Sequence, residues 1–158
     1  MKAAPADLAN GLIEARRTLV LATADPGPWS APVYYVYRKG RFYFFSSPRS
    51  RHVVAAMASG RCAGSIFRDG DDWREIEGLQ MEGRLERVRA GTEAARALGD
   101  YVKKFPTVRD FFAEETFDFG RFTEHFRTRL YAFVPERVFY LNNRAGIGKR
   151  GEIRLPWH

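Results

Sequence analysis

Seven consecutive residues concentrate the polar chemistry of this chain: Ser46-Ser47-Pro48-Arg49-Ser50-Arg51-His52, placed directly after the aromatic run Phe42-Tyr43-Phe44-Phe45. Hydroxyls and guanidinium groups at this density suit an oxyanion, because each phosphate oxygen can accept several charge-assisted hydrogen bonds at once. Phe42–Phe45 reads as a strand and Val53-Val54-Ala55-Ala56-Met57 as a short helix. The polar segment between them then lies at a helix N-terminus, where free backbone N–H groups add further donors. Ser50, or Ser47 followed by Pro48, is placed to cap that helix. A capped helix with solvated arginines is the plain alternative for the segment taken alone.

Two further places carry weaker signals. Gly146-Ile147-Gly148-Lys149-Arg150 offers backbone N–H groups and two cations to a phosphate. Its spacing matches neither a Walker loop nor a dinucleotide fingerprint, so an ordinary mobile loop is the competing reading. Gln80 is a neutral amide within Gly78-Leu79-Gln80-Met81, where alternation sends Leu79 and Met81 to one face and Gln80 to the other. On an inner or interface side that amide requires a hydrogen-bonding partner.

Other chemistries lack their residues. His52, His125, His158 and Cys62 are scattered with no paired ligand motif, which gives no zinc site. Cys62, inside Arg61-Cys62-Ala63-Gly64-Ser65-Ile66, reads as a small core residue. Ser30 and the serines at 46–50 have no nucleophile-elbow context. Glu75, Glu77, Glu82 and Glu86 fall on an expected strand, where solvent-facing charge accounts for them.

The elements that must position these residues are mostly strands. Leu8, Leu12 and Ile13 recur at helical spacing and give an N-terminal helix over about 5–17. Strands are expected over 18–24, 29–37 and 41–46, with turns at 25–28 and 38–41. After the helix beginning near Ser50, further strands are expected over 61–68 and 74–88, the latter bulged or bent at Gly78 and Gly83. Residues 92–104 read as a helix with Thr92 as its cap and Phe105-Pro106 as its end. Phe111, Phe112, Phe117, Phe119, Phe122 and Phe126 argue for packing against the core or a partner across 107–128. Strands over 130–134 and 137–141 precede a polar tail at about 142–158. Short hairpins joining six or so strands, with short helices between, give an antiparallel barrel, mainly β, in a single domain over 1–158.

With 158 residues, 45% apolar, the chain can fill one core but not two. No apolar run approaches membrane-spanning length, no secretory signal is visible at the start, and one cysteine excludes an internal disulfide framework, so a cytoplasmic location is the default expectation. The net charge of +7 raises nucleic acid as a partner. The basic residues are dispersed among acids, as in Arg84-Leu85-Glu86-Arg87, and an anionic small ligand explains the excess equally well.

Ala31-Pro32-Val33-Tyr34-Tyr35-Val36-Tyr37, Gly40-Arg41-Phe42-Tyr43-Phe44, Ser50-Arg51-His52 and Gly83-Arg84-Leu85-Glu86-Arg87-Val88 occur in a telling order and spacing. In them the chain resembles the pyridoxamine 5′-phosphate oxidase-like FMN-binding split-barrel family over about residues 10–150. It is most similar to the small bacterial YhbP-type proteins through Gly78–Gly83, Lys104-Phe105-Pro106 and Gly146–Arg150. The resemblance implies an antiparallel split barrel and a homodimer that holds FMN between subunits and transfers hydride to or from an unidentified small molecule. By the same resemblance Val33, Tyr34 and Tyr35 lie along the isoalloxazine ring, and Ser46 and Ser47 meet the ribityl chain or phosphate. Ser50, Arg51 and His52 occupy the family's Ser-Arg-Lys position at the phosphate. His52 replaces the lysine there, reducing fixed charge near neutral pH, and Arg49 is placed to compensate. Gln80 matches a polar residue near the ring, with Lys149 or Arg150 reaching across the interface. Trp29, Tyr34 and Tyr101 are the aromatic candidates beside a substrate. The arginine and histidine with which pyridoxamine phosphate oxidases grip the vitamin phosphate have no counterpart pattern here. The alternatives are a deazaflavin-dependent reductase and a non-catalytic module that binds or senses flavin or haem.

Overall fold

The computed structural model describes residues 3–112 and 118–158, apart from the side chains of Phe111 and Phe112; the expectation for Phe117 lies outside the described residues. The first helix, α1 (Pro5–Ala15), buries Ala9, Leu12 and Ile13, two residues shorter than the expected 5–17 because Arg16 already has extended backbone. Then follow β1 (Thr18–Thr23), β2 (Trp29–Tyr34), β3 (Val36–Arg38), β4 (Arg41–Ser46), α2 (Arg51–Ser59), β5 (Cys62–Arg68), β6 (Glu77–Val88), α3 (Thr92–Lys104), α4 (Phe119–His125), β7 (Arg129–Asn142) and β8 (Arg150–Ile153).

All eight strands join one antiparallel sheet in the order β2-β1-β5-β6-β7-β4-β3, with β8 added to β7. Strands β2 and β3 stand at opposite ends of that order, yet only Tyr35 separates them in sequence. The sheet must therefore curl on itself. Tyr35 makes the corner: its N–H donates to the Arg17 carbonyl at 3.1 Å and its hydroxyl to the Ile13 carbonyl at 2.6 Å. The single strand expected over 29–37 is thus two, because the chain changes partner from β1 to β4 at this residue.

The converse holds for β7, where one 14-residue strand replaces the two expected over 130–134 and 137–141. Pro135 interrupted the pattern, but it is accommodated by a register shift between Glu82 and Gly83. A Cβ at Gly83 would overlap the Val134 carbonyl oxygen, so the bulge admits glycine alone. Gly78, expected as a second bulge, pairs in regular register with Phe67 and Leu141. Strand β6 starts at Glu77 rather than 74, since Asp72 accepts from the Arg74 N–H and caps a short 3₁₀ turn over Trp73–Glu75. At α3 the capping position falls to Gly91 and Thr92 makes no cap.

Leu19, Leu21, Phe42, Phe44, Ile66, Leu79, Met81 and Phe133 fill the barrel, with α1 and α2 packed against them. A second cluster outside the barrel packs α3 and α4 on Val36, Tyr43, Leu130 and Ala132. Tyr101 belongs to it, 5.1 Å from the Phe45 ring and 4.7 Å from Phe105, and is buried. It packs the core and cannot stack on a substrate. No helix among the described residues is long and apolar enough to cross a membrane.

Candidate functional site

The end of β4 and the first turn of α2 fold Ser46–His52 into one corner. Ser46 Oγ lies 3.1 Å from Ser50 Oγ and 2.9 Å from His52 Nε2, and Ser50 Oγ donates to the Ser47 carbonyl at 2.7 Å. Ser47 Oγ accepts from the Arg49 N–H at 3.2 Å. Ser50 holds the capping position with extended backbone, as expected, but its hydroxyl turns into the loop and makes no cap. The first-turn N–H groups of α2 are left for an external acceptor. Burial lowers the His52 pKa below its ordinary value of 6.5, so near neutral pH the imidazole is an uncharged bridge between hydroxyls. Positive charge at the corner therefore comes from Arg49 and Arg51. Neither has a carboxylate partner among the described residues, whereas nearby Arg61 is held by Asp25 at 3.0 Å. The Arg51 guanidinium lies 4.3 Å from the ring of Trp29, which is 43% exposed. Both arginines line an open cleft of ≈ 670 Å³ with Pro26, Val54 and Ala58.

Strand β2 runs beside this corner as an end strand of the sheet order, with backbone groups facing away from β1. Of the three expected ring contacts, Val33 and Tyr34 on β2 and Tyr35 at the corner, only Tyr34 presents a side chain, 59% exposed and with its ring 5.0 Å from Phe105. Val33 and Tyr35 point into the core, so they have backbone alone to offer. Beside them Lys104 Nζ sits 3.8 Å from the Tyr35 ring centroid. Burial and then Arg17 pull the Lys104 amine down to about 8, while the ring face favours its charged form.

Gln80 faces outward, with Leu79 and Met81 buried on the other face as the alternation requires. Its Oε1 accepts from Arg150 Nη1 at 3.1 Å, across a groove of ≈ 510 Å³ lined by Val20, Ala22, Ala63, Ser65 and Phe139. Arg150 is held there by β8, a strand where a polar tail was expected. Lys149 instead lines a cavity of ≈ 650 Å³ between α1 and the tail, with Leu8, Tyr140 and Ile153. The structure does not unite these groups with the α2 corner in one chain. Ser46 is opposite position 129 of β7 and Gln80 opposite position 139, roughly 30 Å apart along a strand rising about 3.3 Å per residue.

Two non-candidates behave differently from one another. Cys62 is buried as expected, and burial pushes its thiol up to about 12. Glu77, expected to face solvent, is only 7% exposed; it accepts from the Tyr140 hydroxyl at 2.5 Å and pairs with Arg68 at 3.0 Å. Among the described residues no group of His, Cys, Asp and Glu is placed to hold a metal.

The sequence pattern of the pyridoxamine 5′-phosphate oxidase family matches residues 6–141. A UPF0306 protein of Klebsiella pneumoniae (strain 342) is 27% identical over 128 residues, 80% of this chain and 76% of that protein. Another from Enterobacter sp. (strain 638) is 23% identical over 124 residues, 77% of this chain and 76% of that protein. Among solved structures, a heme binding protein from Mycobacterium smegmatis superposes with a TM-score of 0.72 at 16% identity, covering 97% of this chain and 59% of that one. HutZ, a heme storage protein from Vibrio cholerae, gives 0.65 at 16% identity over 84% of this chain and 92% of its own. A FAD-binding protein from Mesorhizobium loti gives 0.62 at 20% identity over 84% and 91%. At such identities the structural likeness carries the fold alone. With the family pattern covering most of the chain and the barrel shared with these structures, the chain belongs to the pyridoxamine 5′-phosphate oxidase family and has its antiparallel split-barrel fold.

Proposed function

We propose that this protein is a homodimeric flavoprotein that holds FMN by its phosphate at the α2 corner and works as an oxidoreductase on a small molecule. The observation that carries the reading is the surplus of donors there: uncapped N–H groups and the two arginines with no carboxylate partner among the described residues, beside a serine cluster already tied to His52. When bound, the flavin supplies hydride transfer at its N5 atom. The chain's residues bind and orient. Arg49, Arg51 and the serines hold the phosphate, the free edge of β2 supports the ring, and Gln80 and Arg150 bring donors to a groove on the other face.

That separation is also the argument for two subunits, since a flavin meeting both the corner and the Gln80 groove must take one from each chain. Exposed apolar side chains near these faces, Val54, Met57 and Phe67, suit burial between copies. Haem is the second reading, favoured by the structural neighbours described as haem proteins. It requires an iron ligand, and His52 Nε2 is already engaged by the Ser46 and Ser50 hydroxyls.

Titration of the purified protein with FMN, riboflavin, the deazaflavin coenzyme and hemin, followed by absorption and fluorescence, tests the cofactor; light scattering gives the subunit number. Saturable FMN binding, at least about tenfold tighter than riboflavin, in a dimer is the expected result. Hemin binding with no flavin binding overturns it.

A further inference from the structure

Gly146-Ile147-Gly148-Lys149 has no part in the flavin site proposed above, yet it is a braced structure. Asn143 Nδ2 donates to the Trp73 carbonyl at 2.9 Å, Asn143 Oδ1 accepts from the Gly148 N–H at 3.2 Å, and the Lys149 N–H donates to the Gly146 carbonyl at 3.1 Å. Gly146 has a φ of 145°, and a Cβ there would stand 2.8 Å from Lys149 Cδ, so the glycine leaves room for the lysine stem to lie across the turn. Lys149 thereby joins the lining of the ≈ 650 Å³ cavity between α1 and β8. We propose that this cavity is a second ligand site, for an aliphatic carboxylate of medium chain length, with the chain against α1 and β8 and the carboxylate on Lys149. The inference is independent of the flavin reading. The volume is that of a small-molecule pocket, and Pro5, Leu8, Ala145 and Ile153 supply aliphatic walls. Leu8 is 38% exposed while Ala9, Leu12 and Ile13 of the same helix are buried in the barrel core, so α1 turns a further apolar side chain to the cavity.

The polar groups of the lining select the head. The Tyr140 hydroxyl donates to Glu77 at 2.5 Å, and Asn142 donates to the Tyr140 oxygen and accepts from the Arg144 N–H, each at 3.0 Å. Arg144 pairs with Glu75 at 3.7 Å, Arg150 donates to Gln80 at 3.1 Å, and Glu152, the one acid in the lining, pairs with Arg137 at 3.2 Å. Among these polar side chains the Lys149 ammonium alone has no hydrogen bond or ion pair to a described residue. Three cations thus line the cavity against a single acid that already has its partner. The N-terminus of α1 adds the same sign: Ala3 and Pro5 line the cavity, and Ala4 at the capping position brings no side-chain acceptor. One ammonium is a point charge that suits a monoanion, whereas a phosphate dianion calls for the denser donors of the α2 corner.

Calorimetric titration of the purified protein with octanoate, 1-octanol and butyrate separates head from chain. Octanoate is expected to bind saturably and at least about tenfold tighter than the other two, of which octanol lacks the charge and butyrate the chain. Lys149→Gln should bring octanoate to the level of octanol and leave octanol unchanged. Leu8→Glu, which sets a carboxylate in the apolar wall, should weaken octanoate at least about tenfold, with thermal unfolding as the check that each variant folds. If Leu8→Glu does not fold, Lys149→Gln, at an exposed position, decides alone. Octanoate that binds no tighter than octanol, or that is indifferent to Lys149→Gln, overturns the proposal by removing its head group. Octanoate that binds no tighter than butyrate overturns it by removing the apolar walls, and no binding of octanoate at all overturns it outright.

Discussion

Two polar clusters flank the barrel, and they differ in what each has left over. At Glu77 the strong groups satisfy one another: Tyr140 donates to the carboxylate at 2.5 Å, Arg68 pairs with it at 3.0 Å, and Asn142 Nδ2 donates to the Tyr140 oxygen at 3.0 Å. Burial, and then Glu77, push the Tyr140 phenol up to about 12, so it remains a donor throughout the physiological range. Only Arg68 Nε in that group is buried without an acceptor. At the α2 corner the serines and His52 satisfy one another, but Arg49, Arg51 and the helix N–H groups do not. A closed network fixes a structure, whereas an open one of like charge asks for a ligand.

The comparison breaks first at Glu77. Replacing it with alanine strands a buried phenol and a guanidinium, which costs about 3 kcal/mol of stability. That is the low end for a broken buried pair, because Arg68 keeps part of its access to water. Denaturant unfolding should show the loss, and flavin affinity of the folded fraction should not change. A large loss of affinity at unchanged stability would move Glu77 into the binding machinery. Arg51→Ala is expected to do the opposite: about 2 kcal/mol, or roughly thirtyfold, off the FMN affinity, with little change in stability, since Arg51 gives up only an exposed ring contact. Ser46→Ala comes next, at about 1 kcal/mol of binding. It removes one hydroxyl and leaves Ser50 to bridge His52, so the FMN dissociation constant should rise roughly fivefold. An unchanged constant would take Ser46 out of the site.

The corner was legible in the sequence because it is local: seven consecutive residues between a strand and a helix can hardly avoid meeting. That Gln80 stands on the face opposite Leu79 and Met81 was legible too, through the period-two pattern. Long-range pairing was not. Arg129 joins the corner only because β7 pairs with β4, placing it against Ser46, and no local pattern announces that ladder. Tyr35 looked like one more residue of a ring-facing strand, since a strand's change of partner leaves no mark in composition. Glu77 was misread because charge on a strand usually faces water; its burial depends on Tyr140 and Arg68 arriving from the neighbouring strands. Gly83 carried its bulge as expected and Gly78 did not, a difference set by which glycine faces Pro135.

The smallest effect is also the most discriminating, because it separates a neutral corner from a charged one. His52 titrates below its ordinary 6.5 in the folded protein, burial being the cause. The unfolded chain therefore binds the proton first as pH falls. The stability that His52 contributes is complete above 6.5 and is lost as pH drops through the lowered folded value. Unfolding free energy should decline across that window in wild type, and decline less in His52→Gln, where an amide bridges the serines without titrating. Bound FMN should also shallow the decline, because a phosphate beside the ring favours its protonated form and brings the folded value back toward the unfolded one. If the phosphate lies elsewhere, the slopes with and without FMN will coincide, and the corner will have to be read, like Glu77, as a network that serves the fold alone.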